Sequence, residues 1–406
     1  MRFTEVFRSK INLKQFAPAF VIVLNTFIWY TLTYQMFSIA VDSLAVSGTE
    51  KLMIFAMYFI GTACSALLGA TFLRCTRKTY LLLWMLAGAL MTASLITIPN
   101  NSTLFNGPIL FFLGVSLGTG FPSCLAYFAD ATTVETRGTC GGITWAAVGV
   151  GTLILALFVS SLDLYLTFLT LAVWRALGFV AFFLMTRRTR KVQQTRTPVT
   201  YYSILARRDM ILYLIPWIML SLVNFTETPI LERLLTDSYV LVGFVEFALA
   251  GIFALVGGIL ADIAGRKRVI ITGFVMLGIG YAVLSFSSGL PFSWYLYTAC
   301  DGIAWGMFSS VFFITLWGDL AQDHEKAKYY VLGGLPFLVS GFLAVVVKPY
   351  VELISTIASF SLASFFLFLA VLPLMYAPET LPEKEIRDRE LKDYIEKARK
   401  VKEKYD

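Results

Sequence analysis

Twelve apolar segments, each long enough to cross a bilayer and separated by short polar breaks, leave this chain few folds to adopt. A membrane-spanning helix needs about 20 consecutive, mostly apolar residues. Within the hydrocarbon every backbone N–H and C=O must be satisfied inside the protein, which restricts spanning segments to helices or closed barrels. The segments lie near 16–41, 52–73, 79–98, 104–128, 139–161 and 163–185, then 211–234, 238–262, 269–287, 292–318, 329–348 and 353–376. They predict an all-α polytopic membrane protein. The chain is 58% hydrophobic and only 15% charged, whereas soluble domains run to about 25% charged.

The polar breaks divide the chain. Residues 1–186 predict one six-helix bundle and residues 211–376 a second. The basic stretch 187–210 predicts a cytoplasmic linker, and the charged residues 377–406 a cytoplasmic tail with helical spacing. Lys and Arg accumulate in cytoplasmic loops. With both termini placed inside, 29 of the 33 basic residues fall on the cytoplasmic side. Lys51, Arg233 and Lys348 fall outside, and Arg175 lies within a span. The N-terminal apolar run is too long for a secretory signal and lacks a small-residue cleavage site, so the first helix is expected to stay in a multi-pass cell-membrane protein. The net charge of +7 is spread along one membrane face, which gives no basis for nucleic-acid binding. Cys64, Cys75, Cys124, Cys140 and Cys300 form no C-x-x-C pair and suit packing, and His324 lies in a charged loop. No metal or cofactor is expected, and no clustered catalytic triad argues for an enzyme.

The halves repeat. The second span ends in G-A-T-F-L-R-C-T-R-K from Gly69, and the eighth in G-I-L-A-D-I-A-G-R-K from Gly258, 189 residues later. Asp130 precedes E-T-R-G at the end of the fourth span, and Asp319 precedes E-K-A-K at the end of the tenth, again 189 residues later. Two matches at one offset indicate duplication of a six-helix unit, an arrangement common in transporters.

The stretch G-I-L-A-D-I-A-G-R-K resembles the loop signature G-x-x-x-D-x-x-G-R-[RK] of the major facilitator superfamily (MFS), carried here by Gly258, Asp262, Gly265, Arg266 and Lys267. A-D-A-T-T-V-E-T-R-G resembles the family's loop after the fourth helix, with Asp130, Glu135 and Arg137 as a charge network. The resemblance implies two pseudo-symmetric six-helix bundles, with these loops as latches holding the outward-facing state. The positive-inside rule alone accounts for the basic residues, but not for Asp262. The first-half copy departs, with Leu73 in place of the aspartate and Thr76 in place of the second glycine. A-P-E-T-L after the last span is a weak likeness to sugar porters, whose other marks are missing.

Charged residues inside spans are costly and hence informative. Glu227, Glu246 and Asp301 all fall about 6 Å outward of the midplane, and they are candidates for proton coupling. A structural hydrogen bond is the alternative role. The resemblance makes the first, fourth, seventh and tenth helices cavity-lining. Asn25, Trp29, Tyr30 and Tyr34, then Asn224 and Thr226 beside a helix break expected at Pro229, and Trp305 are therefore candidate substrate contacts. The aromatics equally suit packing or anchoring at the interface. Arg175 has no partner that the sequence can name. The reading is a proton-coupled secondary transporter of a small organic solute, a lipid-embedded monomer working by alternating access. A facilitative uniporter and a non-transporting sensor are the alternatives. No nucleotide-binding loop is present to supply another energy source.

Overall fold

The computed structural model describes residues 11–44, 46–71, 76–100, 103–187, 198–321 and 325–381. The core of the expected linker, the expected tail helix, Leu73, Cys75 and His324 lie outside the described residues. All regular structure among the described residues is helical. Among the described residues, twelve helices are long and apolar enough to span a membrane. They are α1 (Leu13–Asp42), α2 (Gly48–Gly69), α3 (Arg77–Ile98), α4 (Asn106–Ala131), α5 (Arg137–Val159) and α6 (Leu164–Thr186). The second six are α7 (Arg208–Leu235), α8 (Leu241–Ala264), α9 (Arg266–Ser287), α10 (Pro291–Ala321), α11 (Lys326–Leu353) and α12 (Thr356–Tyr376). The expected spans match these within a few residues. A short helix, Tyr201–Leu205, was not foreseen; Thr200 caps it.

Several helix starts are fixed by their own sequence. Ser47 and Glu50 form a reciprocal capping box at α2, and the Asp163 carboxylate accepts from Leu166 N at 2.8 Å to begin α6. Small residues let the helices close. Gly61, Gly69, Gly114 and Gly118 bring α2 and α4 to backbone contact, the small-residue mode of membrane packing. The two halves meet along symmetry-related seams, α5 with α8 and α11 with α2. In the first seam, Gly258 faces the Gly138 backbone and Gly142 faces Ala254, so side chains are absent where the backbones touch.

α10 contains a π-helical stretch over Ser309–Thr315, a wider turn that often marks a functional site. α7 carries Pro216 and Pro229 but runs on through both, so the expected break at Pro229 does not occur. The hydroxyls of Thr226 and Thr228 bond back to carbonyls a turn earlier (2.8 Å to Leu222 O and 2.7 Å to Asn224 O), as is usual for Ser and Thr in membrane helices.

Candidate functional site

The face where α1 begins and α12 ends carries the basic loops, and here the halves are joined by charge. Asp262, at the end of α8, accepts hydrogen bonds from Gly138 N at 2.9 Å and Thr139 N at 2.6 Å. Those are free amides at the start of α5, where a helix dipole favours a negative charge. Arg266 lies 3.1 Å from Asp262 and 3.0 Å from Asp319, and donates to the carbonyls of Ala261 and Val134. Arg137, from the first half, pairs with the other oxygen of Asp319. Asp319 thus bridges a base from each half. A matching triad forms around Asp130, with Arg77 at 2.5 Å and Lys326 at 2.9 Å. Arg77, Asp130 and Arg137 precede Arg266, Asp319 and Lys326 by the same 189 residues. Each acid therefore holds the arginine of its own half and the first basic residue of α5 or α11 from the other half.

Lys267 donates to Met375 O and Ala377 O. The Glu379 carboxylate accepts from Arg266 N at 2.8 Å and Lys267 N at 3.1 Å, capping α9. Gly265 adopts φ +100°, a left-handed geometry that suits glycine. Glu135 is half-buried, with no ion pair to another described residue.

Inward of this lock, the centre is filled by aromatic rings. Phe313, on the π-helical stretch, touches Phe27 and Trp145 of the first half (centroids 5.9 and 5.3 Å) and Trp217 and Phe337 of the second (5.2 and 4.7 Å). The Trp145 indole N–H is buried without an acceptor among the described residues.

Beyond the rings lie the membrane acids. Glu227 is 6% exposed and Asp301 7%, while Glu246 is half-buried. All three lie within electrostatic reach of the buried Tyr281, whose hydroxyl is 3.5 Å from that of Tyr297. Glu227 Oε2 has no hydrogen-bond partner, and none of the three acids pairs with a base among the described residues. Trp305 is partly buried against Phe337, and Asn224 is half-buried. Tyr30 and Tyr34 line a small cavity with Trp29, Thr33, Tyr58, Leu113 and Leu117.

Asn25 occupies different surroundings from the cavity wall expected for it, whereas Trp29 borders the small cavity and bonds away from it through its indole N–H. The Asn25 amide donates to Trp174 O at 2.8 Å, and its oxygen accepts from Arg175 Nη1 at 2.8 Å. The Trp29 indole donates to Thr92 Oγ1 at 2.7 Å, and its ring lies 4.3 Å from the Arg175 guanidinium. Both are turned into the first bundle, towards α3 and α6. Arg175, for which the sequence offered no partner, finds this cage. Thr226 spends its hydroxyl on its own helix.

Sequence reasoning did not nominate Asp319, Lys326, Arg77 or Glu379 as site residues, nor Trp145 and Phe313. The 189-residue offset already pairs Asp130 with Asp319, and extending it to the flanking bases reaches the whole lock. No sequence signal singles out Phe313 from its apolar surroundings.

Residues 236–402 match the sequence model of the Major Facilitator Superfamily. The fold resembles the crystal structure of the human organic anion transporter MFSD10 (TETRAN), with a TM-score of 0.63, 16% identity, and coverage of 89% of this chain and 99% of that one. It also resembles FucP, a Major Facilitator Superfamily transporter solved in the outward conformation, with a TM-score of 0.65, 11% identity, and coverage of 89% and 98%. No curated protein sequence matches the chain. The second half of the chain thus matches the Major Facilitator Superfamily in sequence, and the fold of the described residues, with twelve apolar helices, resembles that of these two solved transporters.

Proposed function

We propose that the chain is a secondary active transporter that carries a small organic solute by alternating access and couples it to protons through Glu227, with Asp301 and Glu246 in support. In this reading it works as a monomer in the cell membrane, with the basic face and both termini cytoplasmic. The observation that carries the coupling is the state of Glu227, a buried carboxyl with an unpartnered oxygen and no ion-pair partner among the described residues. Such a group suits proton exchange, because an intramembrane ionisable residue is expensive to keep unless it is used. The position of the acids between the aromatic centre and the face opposite the lock supports a route for protons from that side. Tyr30, Tyr34, Asn224, Trp305 and Trp145 are the residues through which the solute would be held. Trp29, on the same small cavity as Tyr30 and Tyr34, would join them, and Asn25 would act from behind.

Proteoliposomes test the coupling. In Glu227→Gln, solute accumulation driven by a pH gradient is expected to fall to background while solute exchange persists, because exchange releases no net proton. Exchange and accumulation lost together would reduce Glu227 to a binding or structural group. Full pH-driven accumulation would favour the uniporter or a different coupling site. A wild-type protein with neither flux nor counterflow, for solutes that stabilise it, would favour the sensor.

A further inference from the structure

On the basic face, a cleft of about 430 Å³ opens where α7 begins and α12 ends, lined by Arg207, Arg208, Asp209, Tyr376 and Pro378. None of these residues belongs to either triad. The two arginines differ. Arg207 Nε donates to Asp209 Oδ1 at 3.0 Å and its Nη2 to Asp209 Oδ2 at 2.5 Å, while Nη1 donates to the Tyr329 hydroxyl at 2.7 Å. This fork offsets the Asp209 carboxylate. Arg208 is exposed, and its guanidinium has no ion-pair or hydrogen-bond partner among the described residues. The cleft therefore carries one uncompensated positive charge.

The backbone adds to that charge. α7 begins at Arg208, so the positive end of its dipole lies at the cleft. The last carbonyls of α12 would oppose an anion, but they are already engaged. Lys267 donates to Met375 O and Ala377 O, and the Tyr213 hydroxyl donates to Pro378 O at 2.7 Å. Away from the cleft the walls turn to exposed hydrocarbon. Ile211, Ile215 and Ile218 follow Arg208 at helical spacing along α7, each at least 36% exposed. Leu372 and Leu369 precede Tyr376 at the same spacing on α12, 51% and 36% exposed. The two helices are packed neighbours, so both apolar stripes run from the cleft into the membrane interior. Tyr376, 72% exposed, marks the headgroup level at which tyrosine is favoured. A charge at one end of two apolar stripes matches a two-chain lipid better than a soluble anion. A phosphodiester balances Arg208, whereas a zwitterionic lipid would bring its ammonium beside both arginines. We infer that this cleft is a headgroup site for an anionic phospholipid, with Arg208 on the phosphate and the acyl chains along α7 and α12. The site does not depend on the solute or on proton coupling.

Thermal unfolding of the purified full chain in a neutral detergent tests it, with titrations of phosphatidylglycerol, phosphatidylcholine of the same acyl chains, and glycerol 3-phosphate. Phosphatidylglycerol is expected to raise the melting temperature saturably and well beyond the other two. Arg208→Gln is expected to weaken its apparent affinity about fivefold. Arg268→Gln, which removes another exposed arginine of the same face outside the cleft, is expected to leave that affinity at the wild-type value. Equal weakening by the two variants would make the attraction diffuse and overturn the site. Phosphatidylcholine matching phosphatidylglycerol would overturn the preference for an anionic head, and glycerol 3-phosphate matching it would overturn the lipid. A folded Arg208→Gln with wild-type affinity would remove the arginine from the site. The comparison of the three ligands on the wild-type chain stands without either variant.

Discussion

At the scale of single residues, burial decides what a charge is worth. Asp319 and its two arginines are almost completely buried, with side-chain exposures of 0%, 2% and 0%. Asp130 keeps 18% exposure and its partner Arg77 27%. Removing one member of a buried pair leaves the others charged and desolvated, which typically costs about 3–5 kcal/mol. Solvent-exposed pairs contribute about 0–1 kcal/mol, and the Asp130 triad, with Lys326 at 9% exposure, falls between the two. Asp319→Asn is therefore expected to lower the melting temperature well beyond Asp130→Asn, although the two positions are equivalent in sequence. Thermal unfolding in one detergent checks this, and equal losses would mean that the two triads carry equal weight. The sequence made the acids visible through their repeat, but not their inequality. Relative exposure depends on how the loops after α4 and α10 pack, and no local pattern encodes that.

At the scale of helices, the closed basic face rests on α5 meeting α8. Gly138, Gly142 and Gly258 remove the side chains that would hold these backbones apart. Asp262 then meets two free amides of α5 across the gap. A charge at a helix terminus contributes about 0.3–2 kcal/mol, small against the stability of the protein but enough to shift a balance of two conformations severalfold. Because Arg266 keeps its pairing with Asp319, Asp262→Asn is expected to lower the melting temperature less than Asp319→Asn, to transport severalfold more slowly, and to expose a cysteine placed at Thr139 to reagent from the basic side. If flux and accessibility both stay at wild-type values, Asp262 does not act as a latch. This contact was legible because its residue types follow a spacing that packing alone does not require. The π-helical stretch of α10 was not legible. S-S-V-F-F-I-T reads as ordinary membrane helix, and the wider turn coincides with the ring contacts that Phe313 makes to both halves. The same limit explains Asn25 and Trp29. Their i, i+4 spacing puts them on one face of α1, but only the neighbouring helices determine that this face meets Arg175.

At the scale of the whole molecule, the two faces are fastened unequally. The basic face carries two triads and a capped helix. On the opposite face, Lys348 of the second half reaches Asp42 of the first at 3.5 Å and Glu232 of its own half at 3.5 Å, with all three side chains about half exposed. Exposed contacts of that length are weak and are screened by salt. The stronger fastening favours opening away from the basic face, so under the proposed alternating access the orientation of that face would decide which compartment loads the solute. The charge bias of 29 basic residues in 33 predicts that it is cytoplasmic. The argument is physical, because short basic loops resist translocation whereas acidic residues contribute little to the rule. On a background with the exposed Cys64 replaced, one cysteine in the tail after Glu379 and another near Asn101 should lie on opposite sides of the membrane. An impermeant maleimide added to intact cells is expected to label the second and spare the first until the cells are opened. Labelling of the tail in intact cells would invert the orientation and, with it, the direction in which the stronger lock biases loading.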